Sequence, residues 1–124
     1  MPTKIMVCDD SAIVRQQVSS ALIEAGFEVV ETVDGQDAWE KIATTKDLGM
    51  LVCDVTMPRM DGLTLLEKLA GASQKLPFPV LMLTTDGQPE LIARAKSLGA
   101  KGWIVKPAGA DVLVRTVKKL TGSP

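Results

Sequence analysis

The stretches KIMVCDDS (residues 4–11) and MLVCDVTMP (residues 50–58) each pass through apolar residues and then reach Val-Cys-Asp. Asp9 and Asp54 therefore lie at the predicted carboxyl end of a buried strand. Short runs that are apolar on both faces are typical of parallel strands covered by helices on both sides. The two acids are thus predicted to follow two strands of one parallel sheet.

Segments of helical period separate further apolar runs of the same kind. Strands are predicted at 5–8, 27–33, 51–53, 80–83 and 103–105, and helices at 14–25, 36–44, 61–69, 91–98 and 113–120. Glu28 and Glu31 indicate that the second strand is an edge strand. The alternation predicts an α/β fold, a five-stranded parallel sheet doubly wound in three layers through right-handed crossovers. We expect a single domain over residues 1–124, without room for an appended domain after the last strand.

The composition excludes several classes of protein. Apolar residues make up 46% of the chain and charged residues 23%, as in globular domains, and the net charge of -1 gives no electrostatic case for nucleic acid or membrane. Because no apolar stretch approaches the ~18 residues of a membrane span, and no signal-peptide core is present, we expect a cytoplasmic protein. The two cysteines lie in apolar strands and are expected to be reduced core residues. The absence of histidine excludes a Ser-His or Cys-His nucleophile, the usual zinc sites and a phosphohistidine intermediate.

Five residues that can carry chemistry lie at the predicted carboxyl ends of four strands: Asp9, Asp10, Asp54, Thr84 and Lys106. In open parallel sheets these ends share one edge, where ligands bind. Three clustered carboxylates repel one another, and a divalent cation together with the lysine would bring their charge to zero. With oxygen ligands alone, Mg2+ is the natural ion. Alternatively, Asp10 and Ser11 could simply cap the first helix, a role that is compatible with metal binding.

The same residues can form a cradle for a phosphoryl group. Mg2+ and Lys106 would neutralise the phosphoryl oxygens while Thr84 donates a hydrogen bond. Because neither GxxxxGK[ST] nor GxGxxG occurs, a bound nucleotide is not expected. A carboxylate that acts as the nucleophile and becomes an aspartyl phosphate is the simpler interpretation.

In order and position these residues resemble the receiver domain of bacterial response regulators, over essentially the whole chain. The resemblance is carried by Asp9-Asp10, by Asp54 followed by MPRMDG at 57–62, by Thr84 and by Lys106-Pro107. It implies a flavodoxin-like sheet with the strand order 2-1-3-4-5, which is the order of the chemotaxis member of the family.

The resemblance also implies a role for each member of the acidic site. Asp54 would accept a phosphoryl group from a phosphohistidine on a sensor histidine kinase, which explains why the acceptor itself needs no histidine. Asp10, Asp54 and the backbone carbonyl of Thr56 would bind Mg2+ directly, and Asp9 would act mainly through water. We expect Mg2+-dependent self-phosphorylation from a phosphodonor and autodephosphorylation, not the turnover of a classical enzyme.

For the residues after the fifth strand, the resemblance implies that Lys106 contacts the phosphoryl oxygens and that the Lys106–Pro107 peptide bond is cis. Thr84 and Trp103 would form the switch pair of the family. On phosphorylation the hydroxyl would move toward the phosphoryl group and the ring would turn inward, which reshapes the surface of the fourth helix, fifth strand and fifth helix. A purely structural role for Trp103 in the core is the alternative.

Four positions either tune this behaviour or depart from the family pattern. Thr56 and Asp86 occupy positions with which the family adjusts dephosphorylation. Thr85 is bulkier than the usual residue at its position and could narrow access to the phosphoryl group. Ala108 stands where the family often has phenylalanine.

The segment GAKGWIVKP (residues 99–107) looks like chemotaxis-type receivers, which bind the flagellar motor switch. A phosphorelay shuttle that hands the group to a phosphotransfer protein, and a non-phosphorylated pseudo-receiver that only binds a protein, are the other interpretations. A haloacid-dehalogenase-type phosphatase would need a second Asp where Thr56 stands, and a flavodoxin would need a phosphate loop. We expect a monomer. Its output surface would be a basic face suited to an acidic partner segment, with Lys96, Lys101, Trp103, Arg115 and Lys118.

Overall fold

The structure, a computed structural model, describes residues 3–55, 57, 59–73, 78–84, 89–106 and 109–122. Five strands form one parallel sheet: β1 (Lys4–Cys8), β2 (Glu28–Thr32), β3 (Leu48–Asp54), β4 (Val80–Thr84) and β5 (Gly102–Val105). Their order in the sheet is β2-β1-β3-β4-β5. The flavodoxin-like order implied by the resemblance is confirmed, and β2 is an edge strand as its glutamates indicated.

Five helices connect and follow the strands: α1 (Ala12–Glu24), α2 (Gly35–Thr44), α3 (Gly62–Ser73), α4 (Pro89–Ser97) and α5 (Ala110–Thr121). Every predicted helix is present. Side chains cap the first two, because the Ser11 hydroxyl accepts a hydrogen bond from the Val14 amide and the Asp34 carboxylate accepts one from the Asp37 amide. Within the described part of the chain, no helix is both long enough and apolar enough to cross a membrane.

The helices cover both faces of the sheet, and each face has its own apolar core. On one face Leu22 of α1 and Val117 of α5 pack with strand residues such as Ile5. On the other, residues of α2, α3 and α4, including Leu65, pack with strand residues such as Met82. Strands buried from both sides explain why the sequence shows continuous apolar runs instead of alternation.

A cysteine pair lies inside the sheet near the carboxyl ends of β1 and β3. Cys8 is in register with Cys53, both are free thiols, and each residue is only 1% exposed. The interaction with Cys8, followed by burial, raises the pKa of the Cys53 thiol well above its ordinary value of 9.0. Both cysteines thus lie in the core, as predicted.

The fifth strand differs from the prediction of a strand buried on both faces. β5 forms the edge opposite β2, and Val105 at its end is 48% exposed. An edge strand has a sheet neighbour on one side only, so an apolar sequence there does not ensure burial. Element boundaries also move by a few residues, since β3 begins at Leu48 and α5 at Ala110.

Candidate functional site

The carboxyl ends of four adjacent strands meet at one edge of the sheet. The register of β1 and β3 places Asp9 and Asp54 side by side, Asp9 one residue beyond the cysteine pair and Asp54 at the end of its strand. At the other side of the site, the Lys106 amide donates a hydrogen bond to the Thr84 carbonyl oxygen, at 2.6 Å. The parallel arrangement thus brings these four predicted residues to one place.

Lys106 joins the two buried acids. Its Nζ lies 2.7 Å from Asp9 Oδ2 and 3.3 Å from Asp54 Oδ1, and all three side chains are largely buried. Burial by itself would lower the pKa of the Lys106 amine, but the hydrogen bond to Asp9 and the charge of Asp54 outweigh it and the pKa is raised. The amine is therefore positively charged at neutral pH.

The turn between β1 and α1 fixes Asp9 and leaves Asp10 open to solvent. Asp9 Oδ1 accepts a hydrogen bond from the Ser11 amide (2.9 Å), and the Asp9 carbonyl oxygen accepts one from Arg15 Nη1 (2.8 Å). Asp9 is buried whereas Asp10 is exposed. Because the Ser11 hydroxyl caps α1, helix capping accounts for Ser11 but not for Asp10.

Three carboxylates of this edge could hold a metal ion. Asp9, Asp10 and Asp54 each offer one oxygen, and these oxygens lie within 4.8 Å of one another. Hard divalent cations such as Mg2+ prefer oxygen ligands and keep several waters. Both Asp9 oxygens already have partners, Lys106 at 2.7 Å and the Ser11 amide at 2.9 Å, whereas Asp54 has only the longer Lys106 contact of 3.3 Å among the described residues. Asp10 and Asp54 are therefore the better placed to bind an ion directly. The donor set therefore fits Mg2+.

The electrostatics of Asp54 also favour a divalent cation at this site. Burial, followed by the charge of Asp9, raises the pKa of the Asp54 carboxyl above its ordinary value of 3.8, and Lys106 opposes this only in part. Three carboxylates at -1 and one lysine at +1 leave a formal charge of -2. A divalent cation would neutralise it.

The chain that follows Asp54 stays close to the strand. The Val55 amide donates a hydrogen bond to the Leu83 carbonyl oxygen (3.2 Å), and the Gly62 amide donates one to the Val55 carbonyl oxygen (2.8 Å). A Cβ at Gly62 would lie 2.2 Å from the Asp54 carbonyl oxygen. Glycine is therefore required where α3 begins, so that the loop can close against the acid-bearing strand end.

Sequence reasoning missed an ion pair between this loop and the start of α2. Arg59 donates to both carboxylate oxygens of Asp34, through Nε at 2.7 Å and Nη2 at 3.1 Å. The hydrogen bond from Arg59 is the main cause of a lowered Asp34 pKa. The motif MPRMDG contains the arginine, but no spacing relates it to an aspartate 25 residues earlier. Only the tertiary structure brings the two together.

The predicted switch residues lie on neighbouring strands. Thr84 is 1% exposed and is in register with Val105, and Trp103 lies two residues before Val105 on the same face of the sheet. The Trp103 ring is half-buried against the core, and its Nε1 is buried without a hydrogen-bond partner among the described residues. An unsatisfied buried donor costs about 1–3 kcal/mol.

Some predictions fall on residues outside the described ranges and stay predictions. These are the Thr56 carbonyl ligand, the cis bond before Pro107, the tuning position Asp86 and the departures Thr85 and Ala108. The predicted basic face lies on described residues: Lys96, Lys101 and Arg115 are exposed, and Lys118 is half-buried.

Comparison with known proteins gives consistent matches over nearly the whole chain. A family model described as the response regulator receiver domain matches residues 5–118. The chain is 34% identical over 121 residues to the chemotaxis protein CheY1 of Helicobacter pylori, which covers 97% of this chain and 98% of that protein.

Solved structures give the same result. The chemotaxis response regulator CheY4 of Vibrio cholerae superposes with a TM-score of 0.88 at 36% identity, covering 97% of this chain and 99% of that one. A CheY from Borrelia burgdorferi, solved as a CheX-CheY-BeF3-Mg2+ complex, superposes with a TM-score of 0.89 at 27% identity, covering 96% and 89%. Fold and sequence thus agree with one family throughout.

Proposed function

Because the chain belongs to the response regulator receiver domain family, we propose that it is a phosphorylation-controlled switch in which Asp54 accepts a phosphoryl group from a sensor histidine kinase. One observation carries the proposal. Asp54 lies 3.3 Å from the amine of Lys106, and its carboxylate is within 4.8 Å of those of Asp9 and Asp10. A nucleophilic carboxylate, oxygen ligands for a cation and a lysine for the phosphoryl oxygens are therefore side by side.

In the proposed reaction, an Asp54 carboxylate oxygen forms a bond to phosphorus while the bond from phosphorus to the imidazole nitrogen of the donor breaks. The electron pair of the broken bond stays on the imidazole. Mg2+ held by Asp10 and Asp54 would supply positive charge to the phosphoryl oxygens. Lys106 is close enough to Asp54 to bind an oxygen of the new phosphoryl group, and Asp9, at 2.7 Å, keeps the amine in place.

The proposed output passes through Thr84 and Trp103. The Thr84 hydroxyl would bind a phosphoryl oxygen, and Trp103 would reorient as the space around the threonine changes. The unsatisfied Nε1 of Trp103 supports this step, because the present ring position lacks a partner for the indole donor within the described residues.

We propose that the activated chain binds an acidic segment of a target protein through its basic face. The similarity to chemotaxis proteins of Helicobacter pylori and Vibrio cholerae favours a target of the flagellar motor switch type. Beryllofluoride should strengthen binding of the purified switch protein, and Lys118→Glu should weaken it more than Lys46→Glu, which lies outside the basic face. Equal binding with and without beryllofluoride would argue against a phosphorylation-controlled output.

The phosphorylation step can be tested by intact mass. In the presence of Mg2+ and a small phosphodonor such as acetyl phosphate, the mass of the chain should increase by that of one phosphoryl group. Asp54→Asn should gain none, whereas Asp47→Asn, a matched change at an exposed loop aspartate, should behave like the parent. A parent mass that stays unchanged would identify a pseudo-receiver and contradict the proposal.

The switch step can be followed by fluorescence. Trp39 and Trp103 are the two tryptophans of the chain, so a Trp39→Phe variant makes Trp103 the single fluorophore. Beryllofluoride with Mg2+ should change its emission, and Thr84→Ala should reduce the change. A response that is the same in Thr84→Ala would exclude the proposed coupling.

A further inference from the structure

We propose that Asp34 and Arg59 form a clamp that positions the loop after the acceptor carboxylate, and that this clamp keeps the cation site assembled. The inference rests on the proposed function for its consequence in phosphoryl transfer. Its structural part, that the pair holds the loop in place, stands on the contacts alone.

The pair has the geometry of a directed contact. The guanidinium meets both oxygens of Asp34, at 2.7 and 3.1 Å, and such two-point bonding fixes orientation as well as distance. The Asp34 side chain is only 7% exposed whereas that of Arg59 is 61% exposed. The carboxylate is therefore a fixed anchor, and the arginine reaches to it from the loop.

Further contacts join the same two segments. The Gly35 amide donates a hydrogen bond to the Met60 carbonyl oxygen (2.9 Å), and a Cβ at Gly35 would lie 2.2 Å from that oxygen. The Cys8 thiol lies 3.2 Å from the Asp34 carbonyl oxygen and 3.5 Å from the Met57 sulfur. The loop thus contacts the core and the start of α2 at three of its residues, and the ion pair is the one charged contact among those described.

The backbone of Arg59 shows that its position is imposed from outside. Its φ is +65°, a left-handed conformation that non-glycine residues seldom adopt and that persists where the surroundings determine it. Glycine would adopt this conformation without strain. A long cationic side chain is present instead, and it makes the contact with Asp34.

The clamp lies on the segment between the acceptor and the glycine that closes the loop. The Gly62 amide returns to the Val55 carbonyl oxygen, next to Asp54. Release of Arg59 should loosen this closure and let the acid-bearing strand end vary in position. Groups bonded directly to a metal ligand commonly change affinity by a factor of about 10–100 when removed, and Asp34 and Arg59, which reach the ligands only through the loop, should act at or below the low end of that range. Asp34 and Arg59 are accordingly positioning residues, not catalytic ones.

The test compares Arg59→Ala with Arg94→Ala. Arg94 also forms an exposed ion pair, with Glu67 at 2.8 Å, and the exposed fraction of its side chain (55%) is close to that of Arg59, but the pair joins α3 to α4 away from the loop. Arg59→Ala should weaken Mg2+ binding by up to about tenfold, the low end of the range for direct partners of metal ligands, and speed hydrogen exchange of the Gly62 amide. Arg94→Ala should change neither.

Two further variants separate positioning from general stability. Asp34→Asn keeps a residue that can cap α2 but removes the charge, and it should reproduce the weaker Mg2+ binding of Arg59→Ala. Val117→Ala opens a cavity in the opposite core and should lower the unfolding temperature while Mg2+ affinity stays at the parental value.

The outcomes distinguish this proposal from the proposed function. If the parent binds Mg2+ but is not phosphorylated, the proposed function fails, and Mg2+ affinity in the variants still decides for or against the clamp. If the parent binds no Mg2+, Gly62 exchange alone decides. The clamp is overturned if the Gly62 amide exchanges in Arg59→Ala at the same rate as in the parent. Where the parent binds Mg2+, it is also overturned if Arg59→Ala and Arg94→Ala bind Mg2+ with equal affinity.

Discussion

Replacement of Lys106 by methionine should destabilise the chain by about 3 kcal/mol at pH 7 in Mg2+-free buffer. The amine contacts Asp9 at 2.7 Å and Asp54 at 3.3 Å. With an effective dielectric constant of about 20, each contact is an attraction of roughly 5–6 kcal/mol, and burial of the lysine cancels part of it. Methionine has a similar length and no charge, so the substitution leaves the carboxylates without their cation while it keeps most of the packing.

The size of this loss has an upper limit, because an unneutralised carboxylate can take up a proton instead. From the ordinary Asp54 pKa of 3.8, protonation at pH 7 costs about 4 kcal/mol. Since the pKa of this carboxyl is already raised in the folded chain, the true limit is lower. The loss should therefore lie between about 2 and 4 kcal/mol.

Urea denaturation followed by circular dichroism, in EDTA, measures this loss directly. Protonation relieves the repulsion among the acids, so the difference between parent and variant should shrink as the pH falls toward 4. Saturating Mg2+ should shrink it as well. Lys101→Met, at an exposed lysine, should stay within about 0.5 kcal/mol of the parent. A Lys106→Met variant as stable as the parent in EDTA, or a loss that neither acid nor Mg2+ reduces, would refute the reasoning.

Three further predictions follow from single residues. Folding raises the pKa of Asp54, so its ionised form destabilises the fold at pH 7. Asp54→Asn should therefore raise Tm in EDTA by roughly 4 °C per kcal/mol relieved, with the gain lost below about pH 4; equal Tm values at pH 7 would contradict this. Gly62→Ala should cost about 2 kcal/mol in urea denaturation because its Cβ meets a carbonyl oxygen, whereas Gly71→Ala, whose Cβ meets nothing within 4 Å, should stabilise α3 by up to about 1 kcal/mol. Arg59→Gly should melt roughly 4 °C above Arg59→Ala by calorimetry, since both lack the ion pair and only glycine relaxes the left-handed backbone; equal Tm values would show that the backbone is not strained.

The placement of the acids could be predicted because it depends on strand direction alone. Apolar runs that end on Asp9 and Asp54, in a chain whose strands alternate with helices, must deliver both acids to the same edge of a parallel sheet. Thr84 and Lys106 follow from the same rule. The structure brings Asp9, Asp54 and Lys106 within hydrogen-bonding or ion-pair distance without any further requirement on the sequence.

Features that depend on tertiary contacts could not be predicted in this way. Val105 reads as a core residue, yet it ends a strand that has a neighbour on one side only. The sequence pattern assigns no role to Arg59 within its motif. Its partner Asp34 lies 25 residues earlier on another connection, and the left-handed backbone that directs the arginine leaves no mark in the composition. Such contacts depend on how two loops meet, which periodicity does not describe.

The cysteine pair inside the sheet makes it possible to measure unfolding through the reactivity of its thiols. Cys8 and Cys53 lie on adjacent strands between helices on both faces, and the Cys53 thiol resists ionisation through its interaction with Cys8 and its burial. Since the thiolate is the reactive form, an alkylating reagent can modify these sulfurs only after the sheet has opened. The rate of alkylation, read by mass, therefore measures opening of the fold in the native sequence, without a label or an added residue.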